Sequence, residues 1–168
     1  DDNTATGWCA LASNTTGATN SANSNYALRS NTTGNSNTAV GRSALQANTT
    51  ASDNTAVGAE ALKANTTGDN NVSVGKNSML LNTTGGSNVA MGRNALKSNT
   101  TADLNTGVGD CALQANTTGD VNAAFGAYAL RTNTTGSANV AVGKNSLLAN
   151  TTGASNTGLG YNALTANT

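Results

Sequence analysis

The sequence predicts an all-β fold: a β-solenoid, or parallel β-roll, with one 17-residue coil per repeat and about ten coils. Three observations carry this. Asn-Thr-Thr begins at Asn14, Asn31, Asn48, Asn65, Asn82, Asn99, Asn116, Asn133, Asn150 and, cut short, Asn167, always 17 residues apart without insertion or deletion. A second asparagine keeps the same step, from Asn3 and Asn20 to Asn139 and Asn156. Glycine and leucine hold fixed columns between them. A short invariant period marks a repeat architecture in which each unit is covered by its neighbours.

Taken from Asn31, one unit reads Asn-Thr-Thr-Gly-Asn-Ser-Asn-Thr-Ala-Val-Gly-Arg-Ser-Ala-Leu-Gln-Ala. Thr38-Ala39-Val40 favours a strand, and alternation places Thr38 and Val40 on one face with Ala39 on the other. The column containing Val40, Val57, Val74, Met91, Phe125 and Val142 is expected to share the core with leucine. The column containing Ala39, Ser73 and Gly107 holds only small residues, which predicts close approach of another backbone. Gly41, Gly58, Gly75 and their equivalents predict a corner with positive φ, broken only by Ser24. The following leucine (Leu45, Leu62, Leu96, with Met79 as its single replacement) is the expected main core residue. Thr-Thr-Gly makes the next corner, with Ala51 and Ala102 in place of glycine. Each unit is thus expected to hold two or three short strands. Stacked in register about 4.8 Å apart, with asparagine ladders hydrogen-bonding along the stack, ten such units make a rod roughly 50 Å long.

Composition fits a thin core. Asparagine and threonine contribute 28 residues each, aromatic residues make 3 % of the chain and charged residues 10 %. That is too little bulky apolar material for a thick globular core, while the strict columns argue against disorder. Formal net charge is zero, and the eight bases fall in two columns, which reads as solvated edges and not as a nucleic-acid stripe. No apolar run approaches the roughly 20 residues of a membrane-spanning helix. Residues 1–168 are read as one repeat array, a segment of a longer chain.

The run Asn-Thr-Ala-Val-Gly-x-x-Ala-Leu-x-x-Asn-Thr-Thr-Gly stands whole from Asn54 to Gly68 and, with Ala51 as its last residue, from Asn37. It resembles the repeat regions of bacterial and phage tail-fibre-like surface proteins. The Asn-x-Ala-Val-Gly element is similar to the head repeats of trimeric autotransporter adhesins, whose shorter units transfer their coil geometry only loosely. The resemblance covers essentially the whole chain and implies an extracellular fibre or stalk at a cell or virion surface, assembled as a homotrimer or filament. It leaves the ligand undefined.

Chemistry is sparse. Asn14, Asn31, Asn48, Asn65, Asn82, Asn99, Asn116, Asn133 and Asn150 each open an Asn-x-Thr sequon, and Asn71-Val72-Ser73 adds another, so covalent glycans along one edge are an expectation. Against it, the first threonine of the motif is as invariant as the second, which only a corner ladder explains. A ligand-binding alternative, ice or surface carbohydrate, is weakened because adjacent threonines on an extended strand point to opposite sides. Cys9 and Cys111 lie in one column six coils apart, about 29 Å, beyond disulfide reach within one stack; a bond between symmetry mates stays open. Isolated cysteines without histidine argue against a zinc site. Asp53, Asp69, Asp103 and Asp120 read as turn residues, because most coils offer one carboxylate at most. Trp8, Tyr26, Tyr128 and Tyr161 read as scattered surface aromatics. Glu60 and Asp110 are isolated in their columns, unlike the clustered carboxylates of solenoid hydrolases. The chain is therefore not expected to be an enzyme or to hold a cofactor.

Overall fold

The computed structural model describes residues 2–166; the truncated motif at Asn167 lies outside the described residues. The described residues form ten three-residue strands: β1 (Thr4–Thr6), β2 (Ser21–Asn23), β3 (Thr38–Val40), β4 (Thr55–Val57) and β5 (Val72–Val74), then β6 (Val89–Met91), β7 (Thr106–Val108), β8 (Ala123–Phe125), β9 (Val140–Val142) and β10 (Thr157–Leu159). They pair in parallel in chain order as one sheet, and the register sets Thr38 on Thr55, Ala39 on Ala56 and Val40 on Val57. Each rung is therefore displaced by one repeat, as the β-solenoid requires. At about 4.8 Å per rung, nine steps span roughly 43 Å.

Only one side of each coil is a strand, fewer than the two or three expected. The rest bends too sharply. Gly41 (φ 130) leaves the sheet, and a turn closes where the Ala44 N–H donates to the Gly41 carbonyl at 3.1 Å. A second turn follows, with Asn48 N–H donating to Leu45 C=O at 3.1 Å, and Ser43 and Leu45 sit at φ 60 and 50. Bonds between coils nevertheless continue around the perimeter. Leu45 and Ala47 donate to Ala61 and Lys63 of the next coil at 3.0 Å, and Glu60 donates back to Arg42 at 2.9 Å.

The leucine column is the core, as expected: Leu28, Leu45, Leu62, Met79, Leu96, Leu113, Leu130 and Leu147 have no exposed surface. The strand faces are reversed from the expectation. Ala39, Ala56, Ala90, Ala124 and Ala141 point inward and are fully buried, while Val40, Val57, Val74, Met91, Phe125 and Val142 point outward. Thickness is the reason. A Cβ added at Gly107 would lie 3.4 Å from Leu96 Cγ, so leucine already fills the space opposite the strand. The small-residue column therefore faces the chain's own leucines, and it marks no approach of a partner backbone.

Two asparagine ladders replace what a wider core would supply. From Asn31 to Asn150, each first-column Nδ2 donates to the Oδ1 of the preceding coil's asparagine at 2.8–3.1 Å. The same Nδ2 also donates to the carbonyl three residues ahead, as Asn65 does to Gly68 at 2.9 Å. In the second ladder the backbone N–H of Asn71 donates to Asn54 Oδ1 at 2.9 Å, and Asn71 Nδ2 reaches the Gly85 carbonyl of the next coil at 2.9 Å. Buried amides need partners. Here one residue type provides both donor and acceptor in every coil.

Candidate functional site

The first-column asparagines offered as glycan acceptors are among the least accessible residues. Asn31, Asn48, Asn65, Asn82, Asn99, Asn116, Asn133 and Asn150 are fully buried, as is Asn71, and Asn14 at the start of the stack is half-buried. From Asn31 to Asn150 the Nδ2 that would carry a sugar donates once to the preceding coil and once within its own, so a glycan is compatible only with attachment before the coils stack.

The threonines of the same motif lie outside. Thr16, Thr33, Thr50, Thr67, Thr84, Thr101, Thr118, Thr135 and Thr152 are exposed, and the column before them is exposed or half-buried. Both columns face solvent because the pair sits in a bend, not on a strand, which removes the expectation that they point to opposite sides. In the earlier column the hydroxyl is fixed: Thr32 Oγ1 donates to the Thr49 carbonyl at 3.0 Å, and Thr66 Oγ1 to that of Thr83 at 3.0 Å. Donation leaves each oxygen's lone pairs free to accept from outside. The result is two adjacent rows of hydroxyls and methyls at the rung spacing.

Charged groups lie on the turns. Asp69, Asp103 and Asp120 each accept a backbone N–H of the preceding coil at 2.7–2.8 Å, from Ser52, Gly86 and Asp103 respectively. Arg42 pairs with Glu60 at 2.6 Å and Arg93 with Asp110 at 2.9 Å, which raises the Arg93 guanidinium above its ordinary pKa through the hydrogen bond and charge of Asp110. Glu60 also lies 3.9 Å from Lys63 and borders a groove of about 400 Å³ lined by Ser30, Gln46, Ala47, Ala64, Leu80 and Leu81. Glu60 and Lys63 are the charged groups of that groove, with Ser30 and Gln46 as its other polar side chains. Among the described residues no three histidine, cysteine or acidic side chains cluster to hold a metal ion.

Cys9 is half-buried and Cys111 buried, both free thiols, and Asn94 Nδ2 lies 3.9 Å from the Cys111 sulfur. The aromatics are less scattered than expected. Trp8 meets Tyr26 edge to face at 4.9 Å, and Arg29 and Arg131 stack over Tyr26 and Tyr128 at 5.5 and 5.4 Å. Trp8 and Tyr26 lie on adjacent coils, where the Tyr26 N–H donates to the Trp8 carbonyl at 2.9 Å, while each arginine follows its tyrosine by three residues in the same coil. No helix among the described residues is long and apolar enough to cross a membrane. Comparison with protein-family models, curated proteins and solved structures finds no match.

Proposed function

We propose that the chain is a rigid shaft segment of an extracellular fibre or stalk at a cell or virion surface, associating with copies of itself and doing no chemistry of its own. The observation that carries this reading is the continuous bonding from coil to coil: sheet, turns and both asparagine ladders tie each rung to the next around the whole perimeter. Such a rod resists bending and sets a fixed distance per repeat. The resemblance of the Asn54–Gly68 run to tail-fibre-like repeats supports the location. Antibody labelling of intact source cells or virions tests it. Surface labelling is expected, and detection only after lysis would overturn the reading.

One observation favours a second reading, in which the doubled threonine rows order water or lie along a repeating polysaccharide. Both rows face outward in every complete coil. Thermal hysteresis of the purified chain, with Thr67→Lys and Thr84→Lys as the disrupting changes, separates this from a plain shaft.

A further inference from the structure

The outer face of the ten-stranded sheet has no leucine layer to cover it and carries an apolar column from β3 onward, after Thr4, Thr6, Ser21 and Asn23 in β1 and β2. Val40, Val57, Val74, Met91, Phe125 and Val142 are 37–44 % exposed in consecutive or near-consecutive rungs. Their exposed surface is on the order of 400 Å², within the range for the largest patch on a monomer. The neighbouring threonine and valine column brings the whole face near the roughly 800 Å² that each partner contributes to a standard interface.

We propose that this face is a self-association surface on which a second copy of the chain seats its own outer sheet, with the two rods parallel. Three features select that occupant. Area is one. Period is the second: side chains recur at one rung spacing along the whole face, so a copy with the same rise meets it in step from end to end. Charge is the third, and it fixes direction. The turn entering the strands carries Asp53, Asp69, Asp103 and Asp120, while the turn leaving them carries Arg42, Lys76, Arg93 and Lys144 with two acids, Glu60 and Asp110, which pair with Arg42 and Arg93 and leave Lys76 and Lys144 as the net positive charge. A two-fold axis along the rods sets the acidic edge of each copy against the basic edge of the other. Antiparallel rods would set acid on acid and base on base, a mismatch that complementary interfaces avoid. A single flat face pairs isologously, so the unit is a dimer and not the trimer that the family resemblance implies. The inference rests on the reading of the chain as a self-associating shaft and names the surface used.

Sedimentation equilibrium of the full chain tests it, together with Val57→Lys/Val142→Lys, which changes side chains that already face solvent and so leaves the core untouched. The wild type is expected at twice its 16.5 kDa mass, and the double variant is expected to dimerise at least tenfold more weakly with unchanged circular dichroism. A wild type that stays monomeric at about 100 μM, where a micromolar Kd would leave it paired, overturns the proposal. So does a trimeric mass, or a double variant that pairs as well as the wild type. Orientation is read with a short bismaleimide in a Cys9→Ser background. Val40→Cys is expected to cross-link to itself, whereas cross-linking of Val40→Cys to Phe125→Cys would show antiparallel rods and sink the parallel arrangement. A monomer with an intact coil stack defeats the pairing alone; the shaft reading falls separately, on the absence of surface labelling.

Discussion

Ala51→Gly is expected to stabilise the stack, although glycine ordinarily weakens a fold. At the fourth position of the motif, a Cβ built on Gly68 collides with the Gly85 carbonyl oxygen of the next coil. Ala51 and Ala102 carry that Cβ, and the same two changes follow at both. Thr33, Thr67, Thr84, Thr118 and Thr135 donate their N–H to the next coil's first threonine at 3.2–3.3 Å, whereas Thr50 and Thr101 make no such bond. Asn54 and Asn105 turn their amides to Ser52 and Asp103 of their own coils, both at 3.1 Å, where Asn71 and Asn122 reach the next coil's glycine carbonyl. The corner above has been displaced to make room. Restoring the backbone bond contributes about 1 kcal/mol, and relief of the displaced corner a similar amount. Glycine's extra freedom in the unfolded chain subtracts about 0.5–1 kcal/mol. The net gain is about 1 kcal/mol per site, or a Tm rise of about 2–4 °C for a chain of this size. Ala51 and Ala102 are three rungs apart, so the double change should be nearly additive. Urea midpoints followed by circular dichroism give the energy, and amide exchange gives the cause: the Thr50 N–H exchanges quickly in the wild type and becomes protected in Ala51→Gly. A lower midpoint, or a Thr50 amide that stays fast, would refute the reasoning. By the same logic Gly68→Ala costs about 1–2 kcal/mol, not the more than 4 kcal/mol of an immovable clash.

Gly75→Ala should behave differently, because Gly75 sits at φ 132 and its added Cβ would lie 2.6 Å from the Gly92 carbonyl oxygen. With conformation and contact both unfavourable, a loss of about 3 kcal/mol or more in urea unfolding is expected. Ser24 is the one non-glycine residue of that column, at φ 118, and Ser24→Gly should recover about 1–3 kcal/mol of strain, read as a raised Tm. Asn65→Ala removes donors to Asn48 Oδ1 and Gly68 C=O and the acceptor for Asn82 Nδ2. It should cost about 3–5 kcal/mol, as much as Leu62→Ala in the apolar column beside it, with the two compared by urea denaturation.

The coil length, the leucine core, the glycine corner and the asparagine ladders were all legible in the sequence, because strict spacing converts each column into a vertical stack. What alternation does not reveal is which strand face points inward. Thr38 and Val40 do share a face, but their bulk suggested the core, whereas a 17-residue coil closes so tightly that one leucine leaves room only for Ala39 opposite. The number of strands was overestimated for a related reason. Residues such as Ser43, Leu45 and Asp53 adopt φ of 50–60, and neither leucine nor serine advertises a left-handed conformation as glycine or asparagine does. That same bend puts Thr32 and Thr33 on the surface together, and it was invisible to a strand-based reading. Burial of the sequon asparagines was hinted at only by the invariance of the first threonine. The outward position of the apolar column was hidden by its own composition: a valine column reads as core until the geometry shows that the core is already full.

Distances between labels on equivalent surface positions test the stacking most directly. With Cys9→Ser and Cys111→Ala as background, nitroxides placed at Thr33 and Thr101 are four rungs apart, and those at Thr33 and Thr135 six. Stacked rungs require separations of about 19 Å and about 29 Å, growing linearly with the number of repeats between the labels. Distances that fail to increase by one rung spacing per 17 residues would show that consecutive repeats are not vertical neighbours.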